Sequence, residues 1–388
     1  MYKRFIVQEL AELVENYPVV TIIGPRQSGK TTLVQNQFPH LPYVNLEAKD
    51  VRDFATYDPR GFFEKYPNGA ILDEIQRAPE LLSYIQIIVD EKQQNGMFVL
   101  TGSHQMELRQ AIAQSLAGRT ATLTLLPMSL AELKENRIHL SLDEALLLGG
   151  YPRIFKEQLD PTRAYSNYFQ TYIERDLRQL SNIKDLMQFQ RFMKICAGRI
   201  GQLINLEGIA GDVGISTKTV KEWLSILEAS FVLIRVQPYF ENFGKRITKS
   251  SKLYFTDVGL ASYLLGIENL DQLPRDPLRG NLVENLIFLE LYKSRINQGL
   301  DSHLYFFRDA HGNEVDFIHQ KGRELIPIEV KAGKTFHIDF LKNLDFFRNI
   351  AGERCKEGFL IYGGEEEHTM GLSHVINYAH AGKALVEF

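Results

Sequence analysis

The chain has 388 residues, 44% of them hydrophobic and 24% charged, enough apolar material for two or three domains with buried cores, which excludes a disordered chain. A formal net charge of −4 gives no global basic field, so any nucleic-acid contact has to rest on a local patch. Two cysteines, Cys196 and Cys355, far apart and without CxxC spacing, offer neither a disulfide framework nor a zinc site and suit a reducing compartment. The opening "MYKRFIVQELAELVENYP" interrupts its apolar run with charges, unlike a signal peptide, and no stretch reaches the roughly 18 apolar residues of a membrane span. The expectation is a cytoplasmic protein with no membrane partner.

The first strong element is the apolar run from Pro18 to Ile23, which predicts a buried strand. "GPRQSGKT" follows, and then the helical "TTLVQNQF". Strand, glycine-rich turn and helix are the context in which G-x-x-x-x-G-K-[ST] carries a physical meaning. Gly24, Pro25, Arg26, Gln27, Ser28 and Gly29 form a loop whose backbone N–H groups can wrap phosphates where the helix dipole favours negative charge. Lys30 then meets the β and γ phosphates, Thr31 holds Mg²⁺, and Thr32 continues the binding stretch, so the expected ligands are ATP and Mg²⁺. A second "GKT", Gly333 to Thr335, has Ile328 where the first glycine would stand and is no such loop.

Hydrolysis needs a metal-positioning acid and a base. "NGAILDEIQ" supplies a short apolar strand, Ala70 to Leu72, ending in Asp73 and Glu74. Asp73 is expected to hold Mg²⁺ through water and Glu74 to activate the attacking water. "MFVLTGSHQ" predicts another strand, closing in Thr101 and Ser103, where a polar side chain can sense the γ-phosphate. Arg119, after Gly118, has two readings. It is an arginine that stabilises transition-state charge, from the same chain or from a neighbouring subunit of a homo-oligomer, or it belongs to a surface salt bridge.

"GPRQSGKTTL", "ILDEIQ", "LTGS" and "LAGR" followed by "LPMSLAEL" resemble the bacterial and archaeal AAA-type ATPases whose carboxy-terminal half belongs to the DUF4143 family. The resemblance continues through "GGYPR", "YIERDL", "KLYFTDVGLASYLLG" and "GNEVDF", nearly the whole chain. It implies an ATPase fused to a nuclease-like module.

From Asp143 to about Arg199 the apolar spacing predicts helices. Tyr165, Tyr168, Phe169 and Tyr172 fall on the core face, with Glu174, Arg175 and Asp176 on a solvated one. "INLEGIAGDVGISTKTVKEWLSILEASFVLIRVQPY" predicts helix, tight turn at Gly214 to Ser216, second helix and strand, with Ser216 as N-cap. This is a helix-turn-helix with a wing. As a DNA reader it would present Thr217, Lys218, Thr219 and Lys221 to the groove and Lys245, Arg246, Lys249 and Lys252 to the phosphate backbone. As a structural or protein-contact module it needs none of them, and the second helix also carries Glu222 and Glu228.

The last segment, "HLYFFRDAHGNEVDFIHQKGRELIPIEVKAG", predicts three strands separated by the turns "AHGN" and "KGRE". Alternation along a strand puts Glu329 and Lys331 on one face, and the second turn brings Asp316 alongside. Two carboxylates and a lysine suit Mg²⁺-dependent phosphodiester cleavage, with Asp316 and Glu329 as ligands, Lys331 at the water and Glu284 from the preceding helix completing the shell. This resembles the D…E-x-K arrangement of the PD-(D/E)XK nucleases, although Val315 stands where that family usually has proline. The expected fold class is α/β, in three modules: an AAA-type P-loop ATPase with a parallel sheet at 1–135, a helical and winged-helix region at 136–275, and a PD-(D/E)XK-like α/β domain at 276–388. The expected function is ATP hydrolysis coupled to a nucleic-acid-directed activity, with a nucleotide switch that binds a protein partner as the alternative.

Overall fold

Val19–Ile23 (β1) is buried at every position. It lies inside a parallel sheet, where strands covered on both faces read as unbroken apolar runs and not as alternating ones. The sheet has the order β2-β3-β4-β1-β5, with β2 at Tyr43–Asn45, β3 at Ala70–Asp73, β4 at Phe98–Gly102 and β5 at Thr120–Thr124. Every pairing in it is parallel. Its helices are α1 (Val7–Asn16), α2 (Lys30–Gln37), α3 (Lys49–Tyr57), α4 (Pro59–Glu64) and α5 (Leu81–Lys92). The acid pair falls at the carboxyl end of β3 and the glycine-rich loop at the carboxyl end of β1, the edge where open α/β sheets bind ligands.

The computed structural model describes residues 2–103, 112, 114–173, 185–240 and 249–386. The chain divides into two compact units, Met1–Pro127 with Ala229–Phe231 and Arg295–Leu300, and Met128–Glu228 with Val232–Ser294 and Asp301–Phe388. Glu174, Arg175, Asp176, Lys245 and Arg246 and the side chain of Tyr172 lie outside the described residues.

The second unit begins with short helices, α6 (Leu130–Glu135), α7 (Leu142–Leu148), α8 (Pro152–Lys156) and α9 (Pro161–Tyr168). Ser129 and Ser141 start α6 and α7 with reciprocal capping boxes to Glu132 and Glu144. Then come α10 (Leu186–Ala197), α11 (Leu206–Val213) and α12 (Thr217–Ala229). Gly214, at φ 80, ends α11, and the Ser216 hydroxyl accepts the Thr219 N–H at 3.1 Å, so the expected turn and N-cap are both present. A two-stranded antiparallel pair, β6 (Leu233–Val236) and β7 (Lys252–Phe255), follows, then α13 (Val258–Leu264) and the long α14 (Arg279–Ile296).

A six-stranded mixed sheet completes this unit in the order β12-β13-β11-β10-β9-β8. Its strands are β8 (Leu304–Arg308), β9 (Glu314–Lys321), β10 (Glu324–Lys331), β11 (Gly358–Tyr362), β12 (His368–Met370) and β13 (Ser373–Asn377), with α15 (Lys342–Ala351) between β10 and β11. Ile326, Ile328 and Val330 of β10 share one core with α14 and the preceding helices. Leu325, of opposite parity, packs with Phe347 of α15. That alternation sends Glu329 and Lys331 toward α15.

Candidate functional site

The loop after β1 is fixed by close backbone approach. A Cβ on Gly24 would lie 2.1 Å from the carbonyl oxygen of Leu125, so only glycine fits. Gly29, at φ 99, turns the chain into α2. Arg4 donates to the carbonyls of Ser28 at 2.9 Å and Leu126 at 2.6 Å, pinning the loop from below. Lys30 is buried, and its ammonium donates to the carbonyls of Gly24 and Pro25, each at 2.9 Å. Burial pulls its pKa down to about 8 against the opposing charges of Glu74 and Asp73. The Ser28 hydroxyl oxygen is buried with no hydrogen-bond partner. An orphaned hydroxyl in a loop of this shape fits a phosphate ligand.

Asp73 gathers three hydroxyls. Thr31 donates to both of its carboxylate oxygens at 3.1 Å, Tyr43 donates to Oδ2 at 2.7 Å, and Thr101 donates to Oδ1. A threonine hydroxyl beside a carboxylate is an oxygen donor pair suited to Mg²⁺. Glu74 holds the left-handed conformation, φ 58 and ψ 47, which costs about 1–2 kcal/mol for a non-glycine residue. Its N–H donates to Thr101 Oγ1 at 3.2 Å, Ser103 Oγ donates to its Oε2 at 2.9 Å, and Gln76 donates to the same oxygen. Burial alone would push its carboxyl up, but Lys30, Arg26 and the bonds from Gln76 and Ser103 hold it below the ordinary range. Glu74 is therefore ionised at neutral pH.

Lys30, Thr31, Asp73, Glu74, Thr101 and Ser103 thus lie together. Arg26 is drawn aside to Glu47 at 3.1 Å. Arg119 pairs with Asp90 of its own chain, Nε to Oδ1 at 2.6 Å and Nη2 to Oδ2 at 2.8 Å. Sequence reading missed Arg4, Tyr43 and Gln76. Gln76 had a signal, standing two residues after the base; Tyr43 reaches Asp73 only because β2 pairs with β3, and nothing local announces that.

In the second unit, Asp316 and Glu329 stand side by side on the hairpin β9–β10, just beyond the Phe317 and Ile328 pair. Asp316 Oδ2 accepts the Val330 N–H at 2.8 Å. Glu329 takes Lys331 Nζ at 2.8 Å on Oε2 and Asn343 Nδ2 at 3.2 Å on Oε1. Burial, then the charge of Asp316, pushes the Glu329 carboxyl up to about 8. Glu284 of α14 accepts from Lys252 Nζ at 3.0 Å and from Tyr254 OH at 2.5 Å on the same oxygen. Burial raises it to about 7, with Lys252 opposing and Asp316 adding to the rise.

Lys252 is not displayed for phosphate contact: its side chain is only 2% exposed, because the first residue of β7 is drawn inward between Glu284 and Glu314. Nor do the donors fit the expected Mg²⁺ shell of Glu284, Asp316 and Glu329. An ammonium, that of Lys252, already lies 3.0 Å from Glu284, and among the described residues no three Asp, Glu, His or Cys side chains are disposed to hold a metal ion. Thr217, Lys218 and Lys221 are exposed on α12, as is Lys249, while Thr219 is half-buried.

Residues 16–134 match the model of an AAA domain. This P-loop ATPase fold supports nucleotide-hydrolysing activity. Residues 139–271 match DUF8612 and residues 279–380 match DUF4143, each described as a domain of unknown function. An uncharacterized protein of Mycobacterium tuberculosis is 28% identical over 336 residues, 86% of this chain and 74% of the relative. Another, of Haemophilus influenzae, is 25% identical over 364 residues, 84% of this chain and 85% of the relative. Among solved structures, a Walker-type ATPase of Pyrococcus abyssi is 16% identical and covers 68% of this chain and 96% of its own, with a TM-score of 0.46. RuvB of Thermotoga maritima, a Holliday junction branch migration motor, is 19% identical and covers 61% and 90%, with a TM-score of 0.31. No helix among the described residues is long and apolar enough to cross a membrane.

Proposed function

We propose that the protein hydrolyses ATP with Mg²⁺ at the loop after β1 and directs turnover at nucleic acid through its second unit. The observation that carries the first half is the convergence of Lys30, Thr31, Asp73 and an ionised Glu74 at the carboxyl edge of one sheet. Mg²⁺ neutralises phosphoryl charge when bound, and Thr31 and Asp73 are the residues to hold it. Lys30 exchanges the carbonyls of Gly24 and Pro25 for the β and γ phosphates. The backbone from Gly24 to Gly29 cradles them, with Ser28 gaining a partner for its hydroxyl and Arg26, Gln27 and Thr32 beside it. Glu74 orients the attacking water and takes its proton, while Ser103, bonded to that carboxylate, senses the γ-phosphate end. Arg119, once released from Asp90, is the candidate for stabilising transition-state charge.

Support for the nucleic-acid half is the α11, turn, α12 pair followed by β6 and β7, a winged-helix arrangement with Thr217, Lys218 and Lys221 outward. A protein-binding switch is the second reading. It is favoured by the acidic neighbours on α12: Lys218 lies 3.9 Å from Glu222 of the same helix, which dilutes a basic stripe. The group of Asp316, Glu329 and Lys331 takes no step in this proposal.

The test is steady-state ATP turnover with and without single-stranded DNA, double-stranded DNA and RNA. Lys30→Ala should lose nucleotide binding, and Glu74→Gln should bind and not turn over. Nucleic acid should stimulate the wild type in a salt-sensitive way that Lys218→Ala/Lys221→Ala loses. Normal turnover in Glu74→Gln removes the assigned base. Turnover indifferent to every nucleic acid leaves the switch.

A further inference from the structure

We infer that Lys252 is the resident cation of the acidic centre in the second unit, occupying the place that the Asp316, Glu329 and Glu284 pattern reserves for a divalent metal. This goes beyond the ATPase reading and does not rest on it.

A lone ammonium at this depth is strongly disfavoured, so its partners are obligatory. Lys252 Nζ lies 3.0 Å from Glu284 Oε1 and 2.5 Å from Glu314 Oε1, and 5.5 Å from the centre of the Phe306 ring. The Glu284 oxygen that faces it is already shared with Tyr254 OH. From another side the backbone of Gly201 closes in: a Cβ there would come within 3.2 Å of the Glu284 carboxylate. Mg²⁺ asks for about six oxygen ligands in near-octahedral array, and here one oxygen of Glu284, one of Asp316 and both of Glu329 already accept hydrogen bonds from the chain. Lys252 and Lys331 also bring, between them, the two positive charges a divalent ion would supply. A metal ion entering beside them would meet the repulsion of both ammonium groups, screened only in part at Lys331.

The placement of the partners gives the cation a task. Lys252 comes from β7, Glu284 from α14 and Glu314 from the start of β9. The ammonium therefore ties the two-stranded pair to the long helix and to the six-stranded sheet. Glu284 and Glu314, on two sides of the ammonium, supply the opposite charge that its burial demands. A centre held in this way is a structural staple and not a site of phosphodiester cleavage.

Free Mn²⁺, followed by electron paramagnetic resonance on the full-length protein without nucleotide, tests the inference. Wild type, Asp316→Asn and Glu329→Gln should bind the same number of ions. Loss of one equivalent in either variant overturns the proposal, whether or not any lysine variant folds. Lys252→Met should bind about one Mn²⁺ more than wild type, the metal displacing protons from the carboxyls freed of their cation, and adding Glu284→Gln should remove it. A folded Lys252→Met chain with no extra ion also overturns it. The ATPase assay on Lys30→Ala is a separate readout, so failure of one reading leaves the other visible.

Discussion

The ammonium of Lys30 rests on two carbonyl oxygens and has been moved by burial to a pKa of about 8. Phosphate oxygens arriving beside it favour the charged form, so the pKa rises on binding and ATP brings a proton with it wherever the free loop has lost one. The sign follows: affinity is flat well below pH 8 and falls as pH rises through it, by at most about tenfold per unit for one coupled proton. Calorimetry at pH 9 in buffers of different ionisation enthalpy should read proton uptake approaching one per nucleotide, absent at pH 6.5. Equal uptake at both values would mean that Lys30 is charged throughout. Glu74 is the opposite case, kept ionised by Lys30 and Arg26, so the base stays competent at neutral pH while the cation beside it titrates.

At the scale of elements, the two glycine-rich motifs of the middle region have a packing cause. Asp257, the N-cap of α13, is buried and accepts the Gly150 N–H at 2.7 Å, the Tyr165 hydroxyl at 2.6 Å and the Leu260 N–H at 3.0 Å. A Cβ on Gly259 would sit 2.4 Å from the same hydroxyl, so "GGYPR" and "FTDVGLAS" are two halves of one contact. Tyr165→Phe should cost about 1.5–3 kcal/mol, the range for a hydrogen bond to a charged group, read as a lower urea midpoint in Trp223 fluorescence. An unmoved midpoint would mean that the two backbone donors suffice. Trp223 is the only tryptophan and is wedged against Phe189 and Phe192, so the signal belongs to the second unit. What sequence made legible was set by local rules: the apolar run and loop at 18–31, the turn at Gly214 with its Ser216 cap, and the hairpin closed by Gly322. Tyr43 on Asp73 and Lys252 on Glu284 were illegible because each depends on which strand lies beside which. Alternation correctly placed Glu329 and Lys331 on one face; it says nothing of what else faces them.

For the whole molecule, the question Arg119 poses is whether one chain suffices for turnover. Its pair with Asp90 is half-buried on the arginine side and exposed on the aspartate side, so water can replace each partner when the guanidinium leaves. If the guanidinium acts across a subunit boundary, turnover per chain should rise with protein concentration. Arg119→Ala should then lose rate and keep nucleotide affinity. Constant specific activity from a chain that light scattering shows to be monomeric with ATP bound would leave Arg119 as a surface ion pair. The two cysteines offer a way to watch the rest of the chain meanwhile. Cys196 and Cys355 are both buried in the second unit, and burial raises both thiols, Cys355 to about 11. Only the thiolate reacts, so at neutral pH an alkylating reagent is refused until the surrounding core opens. The chain thus carries two timers, with none in the first unit. The alkylation rate with ATP, with ADP and with neither clocks how often the second unit breathes in each state, with no engineered label.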